Sequence, residues 1–469
     1  MTKVHPILSL YALAFILAGA LLTVRWITPE FASGLQTSDH PVITLCTALI
    51  IGGLAWVGII LMIRKYPVTQ IKLFTLFLLL GVALRLLFFG STPVYENDYK
   101  RYLWDGSVVA SGENPYRYSP LEVFEAGEPG ASSVPDLARL AIRSNEANYI
   151  TGEINSATLT TIYPPAAQAV FTAAYWIAPY EKWGLKLVFL IVEILGFAAI
   201  IAGLRVRNLP LIWSSAYWLN PIIIFTTYNG IHMDVLLVAP LMAALLWSGR
   251  HPIRVAVMLS LAAAVKIWPL LLAPVLFRQW RSRPVFYVGI AVFIGALTLL
   301  SLLPMLLSLQ PSSGLTAYSA NWTNSSFLFP GIRDGFGLFM DNPDRTARYC
   351  IALILTAFSL WLGFLKPADN SALPAHLMLL SAAFVFLSPT GYPWYFIWFF
   401  MFLPLALNHW SARGLALLTL GAAAYFARFK IGEAGHYDIY TNILLPLEFS
   451  IPMLVLAWDG LKARRHVQT

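Results

Sequence analysis

Apolar runs of about twenty residues, each closed by a short polar or basic connection, recur along nearly the whole 469-residue chain. A helix of that length spans the roughly 30 Å hydrocarbon core of a bilayer. In hydrocarbon every backbone N–H and C=O must be bonded internally, which leaves only α-helices or a closed barrel. Barrel strands alternate apolar and polar residues over about ten positions, and these runs do not alternate. Composition agrees, with 58% of residues hydrophobic and 12% charged, against roughly 25% charged in a soluble domain. The chain is expected to be an all-α polytopic membrane protein forming one integral membrane domain over 1–469.

Sixteen Trp, 21 Tyr and 29 Phe suit interfacial belts and aromatic-lined cavities. Cys46 and Cys350 both sit in apolar runs, too few for a metal cluster or a disulfide framework. Met1 to Ile27 starts like a signal peptide, but its long apolar run lacks a small-residue cleavage site, so an uncleaved first span is expected.

The scarce charges give orientation. Five connections hold Lys or Arg without acids: Arg64, Lys65 and Lys72; Arg205 and Arg207; Arg250 and Arg254; Arg278, Arg281 and Arg283; and Lys462, Arg464 and Arg465. The positive-inside rule makes all five cytoplasmic. Much of the net charge of +8 therefore belongs to membrane topology and does not point to nucleic acid. Residues 91–162 are the reverse, with ten acids (Glu96, Asp98, Asp105, Glu113, Glu122, Glu125, Glu128, Asp136, Glu146 and Glu153) against five Lys or Arg. Residues 91–183 are accordingly read as a first large outer loop, and 307–347 as a second.

Two apolar segments do not fit as crossings. If 163–180 crossed, Arg205 and Arg207 would lie outside, so it is expected to form a helix along the outer surface. Segment 255–277 has arginines at both ends and Lys266 and Pro269 within, which predicts a broken, re-entrant element. About twelve spans remain, near 7–26, 41–62, 72–90, 184–204, 209–228, 232–248, 285–306, 348–365, 374–388, 393–409, 413–428 and 441–458, with both termini cytoplasmic. Arg85, Glu193 and Glu448 fall within spans, where an ionisable group is costly unless paired or wet. Arg85 and Glu193 either neutralise one another or serve function.

The densest polar and aromatic constellation is residues 94–120, VYENDYKRYLWDGSVVASGENPYRYSP. Glu96 and Asp98 precede Tyr102, Trp104 and Asp105, and Asn114 marks a turn. Carboxylates beside aromatic faces and amides suit a sugar site, where a carboxylate can remove a hydroxyl proton. An interfacial belt with solvated charges is the alternative. His232 and Asp234 open a later helix, either as a site or as a cap. Lys266 is a cation in an apolar stretch that requires an anion, a carbonyl or a headgroup.

In chain order stand Asp98-x-x-x-Tyr102, Trp104-Asp105-Gly106, Gly112-x-Asn114-Pro115-Tyr116, Tyr163-Pro164-Pro165, Asn229-Gly230-x-His232-x-Asp234, Lys266-x-x-Pro269 and Pro393-Trp394-Tyr395. Together, over roughly 70–410, they resemble the polyprenyl-phosphate-sugar-dependent glycosyltransferases of the GT-C superfamily, in particular glycosyltransferase family 87 and its mannosyltransferases. The second motif reads NGIHMD where NGHND is the pattern, and two spans precede the acidic loop where many relatives have one.

The resemblance implies a GT-C fold and an inverting transfer of a hexose, such as mannose, from a polyprenyl-phosphate donor to a lipid or glycan acceptor on the outer face. Asp98 then takes the place of the general base, with Glu96 and Asp105 in reserve. Tyr102, Trp104, Asn114, Tyr163, His232, Asp234, Lys266, Trp394, Tyr395 and Arg428 are the candidates for binding substrate and phosphate. No metal is expected, because Asp98, Asp105 and Asp234 show no metal-ligand spacing, and no cofactor beyond the donor. The expected setting is a bacterial inner membrane, as a monomer among membrane lipids. A lipid-linked sugar flippase, or an O-antigen ligase or polymerase, are the other readings. The large early acidic loop and the lack of internal repeats weigh against them.

Overall fold

The computed structural model describes residues 6–32, 40–66, 70–125, 135–310, 313–365 and 372–468. Glu128, counted above among the loop acids, lies outside them. The described residues form helices and short 3-10 turns, with one isolated β-bridge between Asn324 and Thr390.

Among the described residues seven helices are long and apolar enough to cross a membrane: Pro6–Phe31, Val42–Lys65, Lys182–Val206, Pro284–Leu306, Pro343–Phe364, Ser411–Glu433 and Tyr437–Arg465. The pair Pro221–Tyr228 and Met233–Trp247, bent by 111°, adds an eighth if counted as one span. Large apolar side chains such as Phe15, Val285, Leu300 and Leu353 point outward, a surface that lipid covers. The chain is an integral membrane protein.

The other five of the twelve expected spans form shorter or broken helices. Segment 72–90 gives a helix of 17 residues, Ile71–Leu87, and 374–388 one of 16, Ala372–Leu387. Segment 209–228 splits into Leu211–Ser214, Ser215–Trp218 and Pro221–Tyr228, and 232–248 follows it through the bend. Segment 393–409 yields only the short pieces Pro393–Phe396, Ile397–Phe400 and Leu403–Leu405. Pro221, Pro393 and Pro404 each remove a backbone donor. Every residue of 212–238 and of 390–407 is buried, so protein surrounds these breaks, and irregular backbone is tolerated at membrane depth only in such surroundings.

The two segments read as non-crossing are short or broken. Within 163–180, Pro165–Ile177 is a helix with Pro165 in its first turn. It lies against the helix Asp98–Ala110 so closely that a Cβ on Gly106 would stand 2.5 Å from the Phe171 carbonyl oxygen. Within 255–277, the helix Pro252–Ala263 stops and the chain resumes as the turn Trp268–Leu272, leaving Lys266 in the gap.

Arg85 and Glu193 are both fully buried and joined by two bonds of 2.7 Å. Arg85 also donates to the carbonyls of Gly81 at 2.9 Å and Trp218 at 2.8 Å. Glu193 accepts from Tyr217 and Tyr228 as well. Of the two readings left open, the structure favours neutralisation within a closed network.

Candidate active site

The site begins where the helix Ile71–Leu87 ends. The carbonyls at and just beyond its end, which the helix cannot satisfy, are met by side chains from other helices: Lys186 Nζ donates to the Phe88 and Phe89 carbonyls at 2.6 and 3.1 Å, and Arg25 donates to those of Leu87 and Gly90. The Asn229 side chain then grips the next strip, donating to Ser91 Oγ and the Thr92 carbonyl and accepting from the Val94 N–H at 3.0 Å. Residues 87–94 are thereby fixed from two directions, and Glu96 and Asp98 follow at once. Asp98 lies in the first turn of Asp98–Ala110, where helix N-termini favour carboxylates.

Those two carboxylates face a cavity of about 780 Å³. Its other walls include Tyr102 and Tyr163, Asp234 and Lys266, Trp394 and Tyr395, and Arg428. Lys266 Nζ donates to Asp234 Oδ1 at 2.6 Å, an oxygen that also accepts from Trp398 Nε1 at 2.7 Å. The ammonium lies over the Tyr395 and Trp398 rings, 4.5 and 5.0 Å from their centroids. On another wall Arg428 donates to Asn324 Oδ1 at 2.6 Å and to Tyr425 OH at 2.7 Å, and Tyr425 OH donates to Glu96 Oε1 at 2.9 Å.

His232 sits behind the carboxylates. Its ring is stacked on Trp394, with centroids 3.6 Å apart and planes at 8°. Nε2 is 3.5 Å from Glu96 Oε2 and Nδ1 is 3.9 Å from Asp98 Oδ2. The turn that carries it is unusual. Ile231 has φ +58°, costly for a β-branched residue, and a Cβ on Gly230 would lie 2.9 Å from the His232 ring. Backbone strain of this kind persists where the surroundings over-determine it.

Burial pushes Glu96 up to about 8, against the opposing pull of the Tyr425 hydrogen bond and of Arg428. Burial also raises Asp98. His232 and Lys266 favour its charged form, while Glu96 and Asp234 disfavour it. Asp98 nonetheless keeps 36% of its side chain open to the cavity. It is a carboxylate set deep in the molecule yet reachable, with its basicity raised.

Nine candidates from the sequence therefore line one cavity: Glu96, Asp98, Tyr102, Tyr163, Asp234, Lys266, Trp394, Tyr395 and Arg428. His232 contacts it through the two carboxylates. Three candidates lie elsewhere. Asp105 is two helical turns beyond Asp98 and is fully engaged, accepting from Arg101, Thr161 and Gln168. Trp104 points off that face into a separate apolar cluster with Val108, Val123 and Leu137. Asn114 bonds the Tyr116 N–H and Ser308 in a turn.

Residues not singled out from the sequence include Asn229 as the clamp, Tyr425, Trp398, Tyr318 and Arg348. Tyr425 and Trp398 carried a usable signal, at one helical turn from Arg428 and Trp394. Among the described residues, no group of three or more His, Cys, Asp or Glu could hold a metal ion.

Residues 8–282 match the family described as "Alpha-(1->6)-mannopyranosyltransferase, N-terminal domain". The chain belongs to this MptA/MptB family, in keeping with the GT-C, family-87-like resemblance of its motifs. The matched region contains Glu96, Asp98, His232, Asp234 and Lys266, whereas Trp394, Tyr395 and Arg428 come from beyond it. Among curated proteins, alpha-(1->6)-mannopyranosyltransferase B of Corynebacterium glutamicum is 24% identical over 425 residues, covering 79% of this chain. This chain spans 65% of that relative's length. No solved structure matches.

Proposed function

We propose that this protein is a membrane mannosyltransferase that moves a mannosyl residue from a polyprenyl-phosphate donor to a hydroxyl of a lipid or glycan acceptor. The family and the name of the corynebacterial relative support the sugar and the class of reaction. The observation that carries the reading is a raised, accessible carboxylate, Asp98, in a large cavity that also holds Lys266 and Arg428.

Asp98 takes the proton of the acceptor hydroxyl as its oxygen attacks the anomeric carbon. The bond from that carbon to the phosphate oxygen breaks on the opposite side, so the configuration inverts, and polyprenyl phosphate departs with the bonding pair. A phosphate is already a good leaving group, so one base suffices and the main demand is for donors around the departing charge. Lys266, held by Asp234 and Trp398, and Arg428, held by Asn324, are the groups for that task. Tyr102, Tyr163 and Tyr395 bring aromatic surface to the cavity for the apolar side of a sugar ring, while Trp394, stacked between His232 and Tyr392, presents its edge.

By the positive-inside rule the cavity opens to the outer face of a bacterial inner membrane, with both termini cytoplasmic. Residues 91–183 form the catalytic outer loop in this arrangement and 307–347 the second outer loop, in a chain acting as a monomer without a metal. The test is incubation of purified protein with a panel of polyprenyl-phosphate sugars and acceptors, following polyprenyl phosphate release and product anomer. The proposal expects turnover with the mannose donor and inversion. Transport of intact donor across vesicles without release would contradict it.

A further inference from the structure

We infer that Arg428, Tyr425, Glu96 and His232 are poised as a one-way chain of hydrogen-bond donors that closes on Asp98 when substrate binds, making Glu96 and His232 positioning residues for the base. This rests on the reading of Asp98 as the base. The direction comes from the one member of the chain that can only donate.

A guanidinium has no acceptor, so at the 2.7 Å contact Arg428 Nη2 gives its hydrogen to Tyr425 OH. The tyrosine's own hydrogen is then free for Glu96 Oε1, 2.9 Å away. That oxygen is therefore an acceptor, and when Glu96 is neutral its proton lies on the other oxygen, Oε2. Oε2 is the one that faces His232 Nε2, at 3.5 Å. A neutral imidazole has one N–H and one lone pair. With Nε2 accepting from Glu96, the N–H must be on Nδ1, the nitrogen that faces Asp98 Oδ2 at 3.9 Å.

Among the described residues neither ring nitrogen has a hydrogen-bond partner, so both are left free for these two carboxyl groups. At 3.5 and 3.9 Å the two approaches are not yet hydrogen bonds, and catalytic contacts of this kind often tighten only when substrate binds. The ring cannot turn away, since Trp394 stacks on it and Gly230 leaves room for it with no side chain of its own.

The charged and titratable groups that act on this chain are few. Asp98, Asp234 and Lys266 act on His232, while Tyr425 and Arg428 act on Glu96. At neutral pH Glu96 holds its proton, because burial places it near 8. Above that pH it ionises, Nε2 loses its donor, and the imidazole hydrogen can move to Nε2, away from Asp98. Turnover should then fall on the alkaline side, although a lone general base would give a plateau there.

Two readouts test the chain. In 15N-histidine-labelled protein without substrate, with His232 assigned by a His232→Gln control, the expected signature below pH 8 is a protonated Nδ1 and a bare Nε2. The opposite tautomer overturns the inference whether or not the protein transfers mannose. In turnover assays, Glu96→Ala should lower kcat about tenfold or more, within the range for groups that support acid–base steps. Glu96→Gln, whose amide donates at every pH, should restore much of that rate and remove the alkaline limb. An alkaline limb identical to wild type in Glu96→Gln would overturn the chain. Loss of transfer in all proteins, wild type included, would instead count against the mannosyltransferase reading and leave the tautomer to decide this one.

Discussion

Two buried clusters of charge lie on either side of the same segment and are built in opposite ways. Around Arg85 and Glu193 the bonds close on themselves: both carboxylate oxygens accept from Arg85, two tyrosines add their hydroxyls, and two carbonyls take up Arg85 Nη1. Around Asp98 the groups are under-bonded. The His232 nitrogens have no hydrogen-bond partner, and Asp98 remains open to a 780 Å³ cavity. Buried polar groups are normally satisfied, so a closed network reads as scaffold and an open one as a place kept ready for a ligand. Ionisable residues at membrane depth are thus informative through what remains unsatisfied.

Substitutions separate the two clusters. Arg85→Ala should give the largest loss of stability, about 3–5 kcal/mol, because it strands Glu193 without its cation. Thermal unfolding in detergent measures this, and an apolar pair, Arg85→Met with Glu193→Leu, should recover most of it. A wild-type melting curve for Arg85→Ala would remove the distinction. At the open cluster the losses should appear in rate. Lys266→Ala and Arg428→Ala are each expected to lower kcat/KM about 10²-fold, the scale for removing one donor from a developing charge, with a smaller loss of stability than Arg85→Ala, because Asp234 keeps its Trp398 hydrogen bond and Lys266 is partly open to the cavity. Equal loss of stability at both clusters would merge them into one scaffold.

The smallest effects follow from pH. Glu96 titrates at 4.5 when unperturbed and at about 8 when folded, so between those values the folded protein holds a proton that the unfolded chain has released. Stability therefore falls as pH rises through that window, and Glu96→Gln should flatten the dependence. Asp98 must be ionised to act and is also raised. The acid limb of kcat should accordingly sit above the ordinary carboxylate range near 4, and a limb at or below that value would deny Asp98 its buried setting.

Much of this arrangement is legible in the order of the residues alone. The asymmetry of charge marks 163–180 and 255–277 as exceptions, and they form a short helix and a helix broken at Lys266. The gathering of residues as distant as Asp98, Asp234, Lys266 and Arg428 follows from motif resemblance joined to topology, since spacing alone gives no distances. The broken spans are not legible because hydropathy measures how apolar a segment is, whereas its continuity depends on whether lipid or protein surrounds it. At 212–238 and 390–407 it is protein.

Asp105 misleads for a geometric reason. It shares a helical face with Asp98 and Tyr102, but two turns further along, where Thr161 and Gln168 cover it. Asn229 stands in a motif, but its role as a clamp stays hidden because its partners are mainly backbone atoms of 91–94, to which sequence patterns are blind.

In the mechanism proposed above, the open cluster serves proton removal by Asp98. Its most direct measurement is release of polyprenyl phosphate from a polyprenyl-phosphate mannose donor by equal folded amounts of wild type and Asp98→Asn, in the presence of acceptor. The expected result is a loss of about 10³-fold, within the range for a general base, with an unchanged melting curve. Turnover by Asp98→Asn within a few-fold of wild type would contradict it.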